Sequence, residues 1–248
     1  MPVLNRGDGE IHYETYGEGF PVLLFAPGGL RSRMEMWPCP PGGPPRPWVD
    51  WTAALPEAGF MAVAMDQRNA GASRAAIEAD HGWHTYAADH LALMDHLGFD
   101  RFHVLGGCIG GSFCLKAIET APRRVAAAVL QNPIGLNPEH SSYFPDSHAE
   151  WSREQLAARP ELDAAAVASF GRNMWDHPFV FCVDSRFVQD CPVPTFLLPG
   201  TDVPHPAVTS AELAALLPGV QVLTDWRGPE FLEQQRDQVV AFLRAHTP

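Results

Sequence analysis

The chain predicts a doubly wound, mostly parallel α/β sheet, and three observations carry that expectation. Short, continuously apolar runs recur along its 248 residues, helix-patterned segments separate them, and glycine or proline marks nearly every junction. Parallel strands covered on both faces read as unbroken apolar runs, and each needs a crossover, usually helical, to reach the next.

The strands follow in order. PVLLFA (21–26) runs into the turn PGG; FMAVAMD (60–66), RFHVLG (101–106) and VAAAVLQ (125–131) come next, then PTFLLPG (194–200) and VQVLTD (220–225). Helical patterns lie at 84–98, 109–121, 206–217 and 229–245, the last opening on Pro229-Glu230, a favourable helix start. Ahead of them GEIHYETYGEG (9–19) alternates polar and apolar residues, as an antiparallel edge strand would.

Two stretches break the rhythm. PCPPGGPPRP (38–47), between Trp37 and Trp48, holds six prolines and two glycines and must be a loop. It is expected over the same sheet edge as the PGG turn, either as a passive insertion or as a substrate-gating flap anchored by the tryptophans. Residues 133–192 interrupt the alternation with helical pieces, so the chain divides into a core of 1–132 and 193–248 and a cap insertion of 133–192.

Bulk properties narrow the partners. A formal charge of −12, from 29 acids against 17 bases, disfavours nucleic acid and anionic membrane surfaces. The opening residues lack a basic stretch followed by an apolar run, and no segment nears 18 consecutive apolar residues. Five cysteines, odd in number and irregularly spaced, suit a reduced cytoplasmic chain. No G-x-G-x-x-G follows the first strand, and D-x-x-H at 202–205 is the single hint of metal spacing. The expectation is no metal, no cofactor and a small-molecule substrate. The oligomeric state stays open, with a homodimer one candidate.

The chemistry concentrates at Gly106-Gly107-Cys108-Ile109-Gly110, a G-x-nucleophile-x-G pattern between a predicted strand and helix. A nucleophile on so sharp a turn has strained backbone angles, and side chains on its flanks would strike strand and helix. Cys108 then projects onto a helix N-terminus, where N–H groups and the helix dipole favour a thiolate. Cys114, six residues on, lies about 240° around the helix and reads as core rather than a resolving thiol.

With this turn in place the chain resembles the α/β-hydrolase superfamily over nearly its whole length. PGGL (27–30) stands where the superfamily has its His-Gly oxyanion loop, with Pro27 for the histidine. MDQRNAGAS (65–73) resembles its Asp-x-Arg-Gly-x-Gly-x-Ser turn, with Asn69 for the first glycine. LLPGTDVPHP (197–206) resembles the strand end that bears the catalytic acid. The resemblance implies a Cys108 nucleophile, an Asp202 acid and an oxyanion hole from the backbone N–H of Ile109 and Gly29.

The base is missing from its usual place. After the last strand the chain reads Thr224-Asp225-Trp226-Arg227-Gly228-Pro229, and arginine cannot accept a proton. Of eleven histidines, His246 closes the far end of the final helix, His103 lies about 16 Å down its strand and His96 ends its helix on the wrong side. His205, three residues past Asp202, His84 at a helix start and His177 in the cap remain, with His205 the one joined to Cys108 and Asp202 as a catalytic candidate.

Three functions follow. The first is an acyl hydrolase or acyltransferase that takes a small, partly hydrophobic ester, thioester or lactone through a Cys108 acyl-enzyme. The second is a cofactor-free lyase or decarboxylase, and the third a non-catalytic ligand-binding member, since a missing histidine is what lost activity looks like. Gly28, Leu30, Trp37, His84, Trp175 and His177 are the expected pocket walls, under a cap rich in aromatic residues.

Overall fold

In a computed structural model, residues 2–248 form one nine-stranded sheet flanked by helices. In chain order the elements are β1 (Val3–Asn5), β2 (Gly9–Tyr16), β3 (Phe20–Phe25), α1 (Trp51–Glu57), β4 (Phe60–Met65), β5 (Arg74–Ala75), α2 (Trp83–His96), β6 (Phe102–Gly107), α3 (Ile109–Thr120) and β7 (Val125–Gln131). Then come α4 (Tyr143–Ala158), α5 (Ala164–Trp175), α6 (Ser185–Gln189), β8 (Thr195–Leu198), α7 (Ala207–Leu216), β9 (Gln221–Val222) and α8 (Leu232–Ala245). The sheet order is β1-β2-β4-β3-β6-β7-β8-β9, with β5 paired to β2. β3, β4 and β6 to β9 run parallel, while β2 is antiparallel to β4.

The alternating stretch at 9–19 is therefore antiparallel as expected but not at the edge. The preceding Val3–Asn5 pairs outside it, a strand too short to announce itself in sequence. At the other edge VQVLTD shrinks to the two exposed residues of β9. Leu223 there is the one buried residue, and it donates its N–H to Leu197 O. An edge strand buries one side, so an apolar run overstates its length.

The central strands are buried throughout: every residue of β6 and β7 is enclosed. One apolar cluster joins their first face to α2, α3 and the helices α4 and α5 that follow β7. A second packs α1 and α8 on the opposite face, around Trp51, Phe196 and Phe242. Helix α4 is also tied to loops at the sheet's carboxyl edge. Arg31 donates to Glu154 at 3.0 Å, and Arg159 donates to Asn69 Oδ1 at 2.8 Å and to the Ala75 carbonyl at 3.0 Å. Asn69, the departure from glycine in its turn, has φ 60°, a left-handed conformation that asparagine tolerates better than most residues. Its side chain also accepts the Ala75 N–H.

Candidate active site

Cys108 links β6 to α3 with φ 58° and ψ −120°, outside the ordinary regions for a non-glycine residue. The two flanking glycines permit it by close approach. A Cβ on Gly106 would lie 2.0 Å from the Gly110 carbonyl oxygen, and one on Gly110 would lie 2.3 Å from that of Phe25. The turn is pinned by Cys108 N–H donating to Gln131 O at 3.0 Å. Gln131 is itself fixed below, accepting from Trp51 Nε1 at 3.2 Å and from Gln235 Nε2 at 3.0 Å. The thiol emerges partly exposed at the carboxyl edge, against a cluster that includes Leu30, Ile109, Phe144 and Trp175.

The backbone N–H groups of Gly28 and Ile109 face the sulfur. Ile109 is the donor expected on the elbow side. On the loop side Gly28 N–H bears on the sulfur, and the next residue, the expected Gly29, opens the 3-10 turn Gly29–Arg31.

His205 brings an imidazole to Cys108 and Asp202 from the loop after β8. The loop between β8 and α7 turns back on itself, with His205 N–H donating to Asp202 O at 3.1 Å. That turn lays the imidazole on its own acid, Nδ1 to Asp202 Oδ1 at 2.5 Å. Nε2 is buried with no partner at hydrogen-bond distance, and the group beside it is the Cys108 thiol. Arg227, in the expected place of the base, donates to the other oxygen of Asp202 at 2.8 Å. Thiol, imidazole, carboxylate and guanidinium thus stand in a row.

Their titration follows from that row. Burial pushes the Cys108 thiol up, but the adjacent His205 imidazole and the two N–H groups more than reverse it, leaving the thiol below its ordinary value. Burial likewise lowers His205, yet its interactions with Cys108 and Asp202 prevail and raise it. For Asp202 burial is again opposed, by Arg227 and His205, and the carboxyl lies below the usual range. Such a set can form a thiolate–imidazolium pair held by a permanent anion. Tyr143, the first residue of α4, also feels it: burial and then the charges of Cys108 and Asp202 hold its phenol above the ordinary value.

The other expected site residues are scattered. Leu30 and Gly28 sit at the turn beside Cys108, and Trp175 is buried against Phe144, Phe181 and Trp83. His84 and His177 instead share a cavity of about 990 Å³ on the flank of α2 and α3, whose walls include none of Cys108, Asp202 and His205. Trp37 is a correction. It is fully buried on the opposite sheet face, behind Gly107, and lines a cavity under the proline-rich loop and α8. That loop leans on the Gly228 N–H through Pro47 O at 2.9 Å, so its tryptophan anchors the core rather than a flap.

Sequence reasoning missed Arg227 as a partner of Asp202, having weighed it only as a base. It also took D-x-x-H as weak metal spacing. The same three-residue interval is what one tight turn needs to bring a histidine onto its own carboxylate.

Comparison with known proteins identifies the fold that carries this geometry. A family model described as alpha/beta hydrolase fold matches residues 21–166. A protein of Variovorax paradoxus provisionally named as a carbamate hydrolase is 34% identical over 134 residues, 53% of this chain and 46% of that protein. The 2-hydroxy-6-oxo-6-phenylhexa-2,4-dienoate hydrolase of Comamonas testosteroni is 26% identical over 54% of this chain and 44% of its own. The chain thus spans about half the length of these curated relatives. Among solved structures, the enol-lactonase of Burkholderia xenovorans LB400 superposes with a TM-score of 0.70 at 20% identity, covering 98% of this chain and 100% of that one.

Proposed function

The chain belongs to the α/β hydrolase fold family, and on that premise we propose that it is an acyl hydrolase working through a Cys108 thioester. The observation that carries this reading is the buried, otherwise unpartnered Nε2 of His205 beside the thiol, with Nδ1 on Asp202. Those are the positions a nucleophile, its base and the orienting acid require.

In the first half-reaction His205 Nε2 takes the thiol proton, and sulfur attacks the substrate carbonyl carbon. The oxygen becomes an anion, met by the N–H of Ile109 and by the amides of the 28–29 turn. Collapse expels the leaving group, which leaves with the proton held on His205. Water, giving its proton to His205, attacks the thioester carbon; the second collapse releases the acid and returns the proton to sulfur. Asp202 stays ionised throughout and stabilises the imidazolium.

Leu30, Phe144, Trp175 and the half-exposed Tyr143 give the neighbourhood an apolar wall with a phenol at its rim. A small, partly hydrophobic ester, thioester or lactone suits such walls. The relatives named for carbamate, dienoate and lactone hydrolysis point to the same kind of compact carbonyl substrate. A silent binding role drew its support from the absence of a histidine at the usual place, and the His205 imidazole beside the thiol favours catalysis over it.

Intact-mass spectrometry after brief exposure to activated esters and acyl-thioesters tests the reading, with Cys108→Ala alongside. An acyl mass on the wild type, absent from the variant and decaying with acid release, is the expected result. Turnover by Cys108→Ala at the wild-type rate would sink it.

A further inference from the structure

We propose that Arg227 is a positioning residue: by fixing one oxygen of Asp202 it holds the other on His205 and so aims the imidazole at Cys108. The inference rests on the reading of Cys108, His205 and Asp202 as one unit and adds to it the residue that occupies the family's usual base position.

The geometry carries it. Asp202 meets its two partners with different oxygens, His205 Nδ1 at 2.5 Å on Oδ1 and Arg227 Nη1 at 2.8 Å on Oδ2. The last torsion of an aspartate side chain is broad and nearly free, so a carboxylate gripped on one oxygen alone can swing. Asp202 and His205 also share one short loop, so no separate element holds the acid still. A second grip has to come from elsewhere, and Arg227 provides it.

Arg227 is itself held more firmly than an exposed arginine usually is. On one side of it Trp226 is 2% exposed and donates Nε1–H to the Pro199 carbonyl at 2.8 Å. The loop of Arg227 is thus joined twice to the segment that bears Asp202, at Pro199 and at Asp202. On the other side Gly228 N–H donates to Pro47 O at 2.9 Å, in the proline-rich 38–47 loop, whose residues have little freedom to lose. Through that contact the loop braces the turn from which Arg227 reaches Asp202. An isolated surface ion pair contributes little; this one lies in line with the nucleophile. The ionisable groups around the row are Arg227 and His205 on Asp202, Cys108 beyond His205, and Tyr143 from α4.

The test needs no substrate. The rate of Cys108 alkylation by iodoacetamide is followed against pH in wild type, R227Q and R227K, by peptide mapping that separates Cys108 from the exposed Cys39. A loosened Asp202 lets His205 drift, the thiolate loses its partner, and the reactive limb moves to higher pH. The expected displacement for R227Q lowers the rate at pH 7 by about 3–10-fold, the consequence of roughly half to one unit. R227K keeps a charge without the planar fork and is displaced the same way by less. The downfield proton of His205 Nδ1, identified by its loss in H205N, should broaden in R227Q. Superposition of either folded variant on the wild-type curve overturns the proposal, and R227K decides it alone if R227Q does not fold. A displaced curve without any acyl-enzyme would leave the positioning role standing and remove the hydrolytic reading. An acyl-enzyme with an unmoved curve would do the reverse.

Discussion

Replacing His205 with asparagine removes two things at once, the Nε2 beside Cys108 and the Nδ1 donor to Asp202. The thiol is then left with burial, the largest influence on it, opposed only by the N–H groups of Gly28 and Ile109. Its titration moves up, and each unit of that movement costs a factor of ten in thiolate below it. Loss of the acid–base group adds about 10²–10⁴ in rate, or roughly 3–5 kcal/mol of transition-state stabilisation. The acid limb of the kcat/KM profile for an activated ester, which in wild type lies below the ordinary thiol value, should shift to higher pH in H205N, together with the rise of thiolate absorbance near 240 nm. Stability changes with an opposite pair of signs. The contribution of Cys108, whose value is lowered by folding, is present above the unfolded thiol range and is lost as pH falls through the folded value. That of His205, raised by folding, is complete below the unfolded imidazole range and is lost as pH rises through the folded value. In H205N the His205 term is gone and the Cys108 term is reversed towards the one burial alone imposes, so the difference in Tm between wild type and variant should itself depend on pH. Wild-type kcat/KM in H205N, with Cys108→Ala inactive, would refute the assignment and turn attention to His84 and His177.

Three further outcomes follow from the packing around the elbow. Gly110→Ala places a methyl 2.3 Å from the Phe25 carbonyl oxygen; a cost of about 2–4 kcal/mol lowers Tm by roughly 5–15 °C in a calorimetric scan. Gln131→Leu strands the buried Trp51 Nε1–H and the Gln235 amide, a loss of about 2–5 kcal/mol by denaturant titration, with the elbow loosened as well. Arg159→Met releases α4 from Asn69 and Ala75; about 1–3 kcal/mol of destabilisation should appear as faster proteolytic nicking in residues 133–192 than in the sheet.

What the sequence disclosed and what it withheld divide along a physical line. The parallel strands, the elbow and Asp202 were legible because each rests on local chemistry: unbroken apolar runs, glycines where no Cβ fits, an acid at a strand end. The short edge strand Val3–Asn5 and the shrunken β9 were not, since edges are made by pairing rather than by composition. Trp37 beside a proline-rich loop was expected in the pocket wall, yet the ring is buried in the interior behind Gly107, and no periodicity in so irregular a segment says which way a side chain turns. His205 could be put ahead of His84 and His177 by its nearness to Asp202 in sequence, but its contact with that carboxylate could not be read. The deciding quantity is the turn that returns His205 N–H to Asp202 O, a backbone contact with no residue signature beyond the interval of three.

That interval bears on why the base can move at all. The chemistry requires one imidazole nitrogen beside the nucleophile and the other on an anion; it places no demand on which strand's loop delivers the ring. A histidine after the last strand meets the acid from a separate element and borrows that element's rigidity. Moving it onto the acid's own loop keeps both distances but gives up the independent support, so the carboxylate needs a new anchor. The position after the last strand holds an arginine that binds Asp202 on its other oxygen, and its loop is stitched to Pro199 and Pro47. On the proposed reading His205 and Arg227 work as a pair through Asp202. A variant carrying histidine at 227 and lacking it at 205 should therefore recover more activity than either single substitution predicts by addition, and a double-mutant cycle at the two positions measures that coupling directly.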